Sequence, residues 1–349
     1  MTDSTGTSFA QTTHPVSRRE LFHVAGLAAG GAMLLGLPNF LADWTSEAEA
    51  ALAAGTAGAS KIGLELDGIF AGYLKSMEGG NAFLDIVRES FLDSGFMQGK
   101  HPGPVKFEDI VIEVPIGGNS KLLNDWISEM LTNARDHTPK NGAIVYADFN
   151  FTEVKRLEFF NAVLTEVTLP ACEAASTDVA ALTVRMAPQS TRLAGGSGKT
   201  LPAVVVAAKK VLTSNFRINI QGLEEACKHI AQVERIIARR PLPPAGTVES
   251  TKTKQTSPLD CSMVSISLSE AFAGPFHVWF NDTVAKGAQG SERAGLLELM
   301  DSTMKTSMAS AQLGSLGIVR YAPEPVKSGT SSGLVQVDMY CESLNLKVL

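Results

Sequence analysis

AGGSGKT, residues 194 to 200, carries the glycines, lysine and hydroxyl of a loop that could cradle a phosphate. That chemistry needs a glycine five residues before the glycine of Gly-Lys-Thr, where the chain turns so that successive N–H groups face the anion. Leu193 holds that place and no helix pattern follows, so the segment reads as a linker. The histidines His101, His137, His229 and His277 include no pair at i, i+4 on one face, as a helical zinc site would require. No Ser or Cys is placed at a strand-to-helix nucleophile elbow. Cys172, Cys227, Cys261 and Cys341 are widely spaced, without a Cys-x-x-Cys pair, and read as isolated core thiols. An even count in an exported chain would permit a disulfide, with Cys227 and Cys261 as the pair to test. The acid pair Glu224-Glu225 falls in a turn and reads as solvated. These spacings predict no catalytic, cofactor-binding or metal site, and leave an enzyme only the route of carboxylates brought together by the fold.

The elements that would have to position any such chemistry come from a chain of 349 residues, long enough for about two domains. With 44% hydrophobic and 19% charged residues it can bury one large core or two ordinary ones. The formal charge is −6; setting aside residues 1–50 leaves 31 acids against 28 bases. That balance carries no basic footprint for nucleic acid and no strong polyanion.

Residues 17 to 23, SRRELFH, are followed by a Gly- and Ala-rich apolar run from Val24 to Leu37 and then Pro38. A basic pair, a short apolar segment and then small residues make the three-part layout of a secretory signal, and the run is too short to span a bilayer. Ser17, Arg18, Arg19, Leu21 and Phe22 together resemble a twin-arginine export signal, whose substrates cross the membrane already folded. His23 stands where that pattern often has Lys. Ala48-Glu49-Ala50 and Ala51-Leu52-Ala53 are the candidate cleavage sites. The resemblance implies transient contact with export machinery and a periplasmic or cell-surface location.

The body says the same thing twice. SKIGLELDGI at 60 to 69 and SNFRINIQGL at 214 to 223 both alternate apolar and polar residues and break at Gly68 and Gly222. Alternation is the period of a strand with one buried face. A return arm follows each break, aligned at Ser76-Met77-Glu78 with Gln232-Val233-Glu234 if the second turn is two residues longer. Long connections come next, GKHPGP at 99 to 104 and the Pro-rich stretch at 240 to 258, and then strands at Glu108 to Val114 and Ser262 to Ser269. In SKLLNDWISEML the apolar residues recur at three and four, as they do in PFHVWFNDTVAK, which predicts one amphipathic helix per copy. Trp126 and Trp279 lie 153 residues apart, so the register holds through both helices. Further strands close each copy. The order predicts a mainly-β module with a single packed α-helix, present twice: residues 1–54 as signal and linker, 55–190 as module 1, 191–213 as linker and 214–349 as module 2.

LELDGIFAGYLKSMEGG, DIVIEVPIGG, LLNDWISEML and the strand around Glu158 to Ala162, in that order, resemble the tail-tube proteins of contractile phages and related injection systems. The resemblance covers residues 60 to 190, and reaches the second copy only through the repeat. It implies tandem β-sandwich or barrel modules and a structural, non-enzymatic role, with no cofactor. Six such folds close a ring and stacked rings make a tube, so two fused copies imply self-association: three chains as a pseudo-hexamer, or six chains as a two-tier ring. Other tail or spike components would be the further partners. An export signal is unexpected in that family, whose members assemble in the cytoplasm. The alternative is a monomeric periplasmic binding module that uses the loops at 88–106 and 238–258. The outward residues of the first strand, Lys61, Gly63, Glu65 and Asp67, become Asn215, Arg217, Asn219 and Gln221, so the two modules should meet different neighbours.

Overall fold

The computed structural model describes residues 61–90, 98–118, 120–132, 138–202, 211–242, 258–286, 292–323 and 333–348. All lie within one unit, Glu47–Leu349.

In the first half, β1 (Lys61–Leu66) returns as β2 (Ile69–Leu74). The two residues between them, Asp67 and Gly68, both have positive φ, +49° and +79°, as the tight turn that matches strand twist requires. β3 (Ser76–Gly79), β4 (Ala82–Ser90), β5 (Gln98–Phe107) and β6 (Ile110–Pro115) follow. Helix α1 (Lys121–Leu131) starts at Ser120, whose Oγ accepts the Leu123 N–H at 3.3 Å, and it buries Leu123, Trp126, Ile127, Met130 and Leu131. Then come β7 (Lys140–Ala147), β8 (Glu153–Leu169), β9 (Cys172–Glu173), β10 (Ala181–Ala187) and β11 (Ser190–Gly195).

The second half runs β12 (Phe216–Ile220), a short helix α2 (Glu224–Cys227), β13 (Ile230–Val233), β14 (Ile236–Arg239), β15 (Asp260–Cys261) and β16 (Val264–Ser269). Helix α3 (Gly274–Lys286) leads to β17 (Arg293–Met300), β18 (Ser307–Pro323), β19 (Leu334–Tyr340) and β20 (Ser343–Val348).

One sheet follows the path β2-β1-β7-β8-β10-β6-β3, the other β12-β17-β18-β19-β16-β13-β9. In each the 17-residue strand, β8 or β18, belongs to two layers. Its first part pairs with β7 and β11 (or β17 and β20), and its second part with β10 (or β19). The bend falls at Asn161 (φ +47°) in β8 and at Ser315 (φ +50°) in β18; strands change layers in sandwiches by such local kinks.

The ladders keep one register in both halves. Leu64 lies opposite Ile144 and Ile218 opposite Leu297; Met77 opposite Ile112 and Val233 opposite Ile266; Val184 opposite Val167 and Val337 opposite Tyr321. The second of these comparisons shows the two-residue lengthening before β13 that the sequence alignment predicts. Buried side chains of the two halves, from Leu64 through Trp126 and Trp279 to Leu346, form one contiguous core.

Three segments differ from the sequence reading. GKHPGP is not a loop: it lies in β5, which among the described residues pairs with β4 alone, as a two-stranded ribbon. Pro102 fits there because an edge strand has N–H groups with no ladder partner to lose. The return arm after Gly222 does not begin as a strand: α2 comes first and β13 follows, and Leu223, Ala226, Cys227 and Ile230 are all buried; their spacing of three, one and three was a helical signal. The stretch from 191, read as linker, begins inside β11, which runs beside β8 from Lys155 to Phe160.

Candidate functional site

The informative surface is where the two halves meet. β14 belongs to the second half by sequence, yet it adds to β8 of the first, with Ile236 opposite Leu169 and Ala238 opposite Val167. β9 belongs to the first half and adds to β13 of the second, Cys172 opposite Val233. The halves therefore exchange edge strands, and each exchange covers an edge that would otherwise expose unpaired N–H and C=O groups.

Polar contacts fix this seam. Arg239 Nε donates to Glu166 at 2.7 Å, and the Arg240 N–H donates to the Thr165 carbonyl at 2.8 Å. The Arg240 side chain turns under α1, where Nε donates to the Met130 carbonyl at 2.8 Å and a second guanidinium nitrogen to the Thr132 carbonyl. A cation is well placed there, because the last carbonyls of a helix are unsatisfied and carry partial negative charge. Burial pulls the Arg240 pKa down. Asn124 of α1 donates to the Val348 carbonyl at the end of β20. A cleft of about 840 Å³ lies between Leu131 and Thr132, at the end of α1, and the strands of the second half, including Asn219, Leu296, Gln312 and Asn345.

The same ladder row differs in charge between the halves. Glu65, Ala143, Glu158 and Arg192 lie in register across β1, β7, β8 and β11. Arg156 joins Glu65, Glu153 and Glu158, and Arg192 pairs Glu158 at 2.8 Å. The row in the second half is Asn219, Leu296, Gln312 and Asn345, without a charge.

The residues singled out by sequence are placed as follows. Ser17, Arg18, Arg19, Leu21 and Phe22 lie outside the described residues, as does His137. AGGSGKT wraps the start of β8. The Glu153 N–H donates to the Lys199 carbonyl at 2.8 Å, the Leu201 N–H to the Phe151 carbonyl at 2.7 Å, and Ser197 Oγ to the Glu153 carboxylate. His229 stacks on Phe272 at 3.4 Å between ring centres, and His277 packs at 5.0 Å from Tyr321. All four cysteines are free thiols. Cys341 Sγ donates to the Gly314 and Ser343 carbonyls, and the neighbouring thiols raise the pKa of Cys261 and lower that of Cys341. Cys227 sits apart, its thiol pushed up to about 11 by burial, and burial pushes Cys172 up to about 12. Cys341, not Cys227, is thus the thiol beside Cys261. Glu224 is not merely solvated: its carboxylate accepts the Gly222 N–H at 2.8 Å, and its own backbone N–H and that of Gly222 lower its pKa. Among the described residues no three His, Cys, Asp or Glu side chains are grouped as metal ligands, and no helix is long and apolar enough to cross a membrane. The exchanged strands were the part that sequence reasoning missed, since strand pattern does not name a partner.

Residues 64–192 match the family model of the T4-like virus tail tube protein gp19. No curated protein matches the chain. Among solved structures, a chain of the sheath-tube complex of the extracellular contractile injection system PVC is 16% identical, over 42% of this chain and 97% of that one, with a TM-score of 0.35. The tube-terminating cap of the anti-feeding prophage is 15% identical, over 39% and 88%, with a TM-score of 0.33. Hcp1 of Flavobacterium johnsoniae is 17% identical, over 39% and 96%, with a TM-score of 0.25.

Proposed function

We propose that the chain is a structural, ring-forming protein built of two tandem tube modules, the second carrying the fold that the family match identifies in the first. The observation that carries this reading is the seam: one chain already holds two halves side by side by exchanged edge strands, the contact a ring of such folds would repeat. Three chains supply six modules, so a trimeric pseudo-hexamer is the assembly this arrangement favours over a two-tier ring of six chains. Its neighbours in a particle would be tube, cap or spike components.

Light scattering and negative-stain imaging of the purified chain test the assembly. A ring with three-fold mass is the expected result, and a strictly monomeric chain at tens of micromolar would sink it. We further propose export by the twin-arginine route before assembly, supported by Ser17, Arg18, Arg19, Leu21 and Phe22 ahead of an apolar run. Arg18→Lys with Arg19→Lys should hold the chain in the cytoplasm, as fractionation would show; unchanged export would remove the signal from the account.

A further inference from the structure

We propose that the seam between the two halves is repeated between chains, the β4–β5 ribbon of one chain adding to the free edge at the end of β18 in the next. This deepens the ring reading and rests on it.

Register identifies the equivalent places. Ala238 lies opposite Cys261 in β15, and Ala82 lies opposite Phe107 in β5; Phe107 and Cys261 are 154 residues apart, the spacing of the repeat. Ala82 therefore stands where Ala238 stands, and Leu84 where Arg240 stands. On the receiving strand, Val167 of β8 pairs with Val184 as Tyr321 of β18 pairs with Val337. Carrying the internal seam over sets Ala82 opposite Tyr321, Phe83 opposite Arg320, and the Leu84 N–H on the Val319 carbonyl.

Burial supplies the second observation. At the internal seam Leu131 is 5% exposed and Arg240 3%, whereas Val284, 153 residues after Leu131, is 68% exposed and Leu84 is 53% exposed. Val319 is also open, at 43%. From Gly317 to Pro323, β18 pairs with β19 on one side, and among the described residues no strand takes the other. The ribbon is equally unpartnered, with Phe83, Leu84, Ile86, Val87 and Val105 all exposed on a two-stranded sheet; such a pair is marginal in water on its own. The occupant is a second copy of this chain, because the segment that fills the equivalent place inside the chain is the equivalent segment of the neighbouring half. The chemistry changes in two respects: where Arg239 pairs Glu166, Phe83 faces Arg320, which Asp338 of its own chain already pairs at 3.2 Å. Arg240 meets helix carbonyls, but Leu84 meets Val284 and Val319, so the seam between chains is apolar and should persist at high salt.

The test is a pair of cysteines at the wide, non-hydrogen-bonded position, Phe83→Cys with Arg320→Cys, in the full chain under mild oxidation. Covalent oligomers on non-reducing gels, absent in each single variant and at least ten-fold weaker for Phe83→Cys with Ala322→Cys, would support the register. Leu84→Glu and, on the receiving side, Val284→Glu should each weaken assembly at least ten-fold while circular dichroism stays unchanged, since both side chains are exposed in the single chain. A chain that assembles fully, yet neither cross-links at 83 and 320 nor responds to either glutamate, would overturn the seam and leave the ring reading standing. A wild-type chain that stays monomeric would overturn both.

Discussion

The two halves share ladders, helix position and bend, yet they differ at the place where each leaves its sheet to reach a neighbour. In the first half the exit is Gly79-Gly80, with φ of +82° and +78°, and the chain continues into a ribbon free of either sheet. In the second half the equivalent residues are Arg235 and Ile236, and the chain continues along β14, seated on β8. One ribbon has found its edge within the chain and the other has not. The difference shows in exposure: Leu84 is 53% exposed where its equivalent, Arg240, is 3% exposed.

The two halves differ in charge as well. The first half spends five charged side chains, Glu65, Glu153, Arg156, Glu158 and Arg192, on a lattice of ion pairs. The second half, whose equivalent row lines the cleft beside α1, keeps neutral amides. Partly exposed ion pairs add little to stability. Their value lies in solvation, and in refusing neighbours that lack matching charge.

The largest test of the comparison is Trp126→Ala against Trp279→Ala. Each truncates a fully packed indole, which costs about 3–5 kcal/mol, and because the core is contiguous both should lower a single calorimetric transition. Two separable transitions would mean that the halves unfold independently. Next, Gly79→Ala should cost on the order of 1–3 kcal/mol, since a Cβ there would lie 2.0 Å from the Asp109 carbonyl at positive φ. Arg235→Ala, its exposed equivalent, should stay within about 0.5 kcal/mol, so equal effects in urea unfolding would deny the different exits.

Arg240→Ala should cost about 2 kcal/mol, because it leaves helix carbonyls buried without a charged donor; Leu84→Ala should be near neutral in the single chain. The smallest effect concerns the turn before β18. Asp301 accepts hydrogen bonds from the Thr303 hydroxyl and from the Thr303, Lys305 and Thr306 N–H groups, which hold its carboxyl down at about 2. The fold thus favours the charged form. Its contribution is fully present above the ordinary value of 3.8 and is lost as pH falls from there toward about 2. Asp301→Asn should lower the thermal midpoint at pH 6 and flatten its fall across that window; an unchanged slope would remove Asp301 as the cause.

Much of the fold was legible because periodicity reports which face of an element is buried. Ile62, Leu64 and Leu66 marked β1, Trp126 with Ile127 and Met130 marked α1, and the interval between Trp126 and Trp279 carried the register across the chain. The failures were of two kinds. Pro102 and the glycines of GKHPGP read as loop, because residue types that break a central strand are tolerated in a free ribbon. Leu223 to Ile230 read as a strand because the repeat overrode their own helical spacing. The candidate interface was the least legible part: Arg240 sits in a Pro-rich stretch whose composition says only that the chain turns.

By itself the sequence determined the alternation of the strands, the two amphipathic helices, the glycine turns and the repeated order, since each depends on residues close together in the chain. Only the tertiary structure decided that β14 crosses to β8, that β9 crosses to β13, and that Arg240 closes the end of α1. An edge strand carries unpaired groups but no record of its partner. The partner is whichever edge the packed core brings within hydrogen-bonding distance.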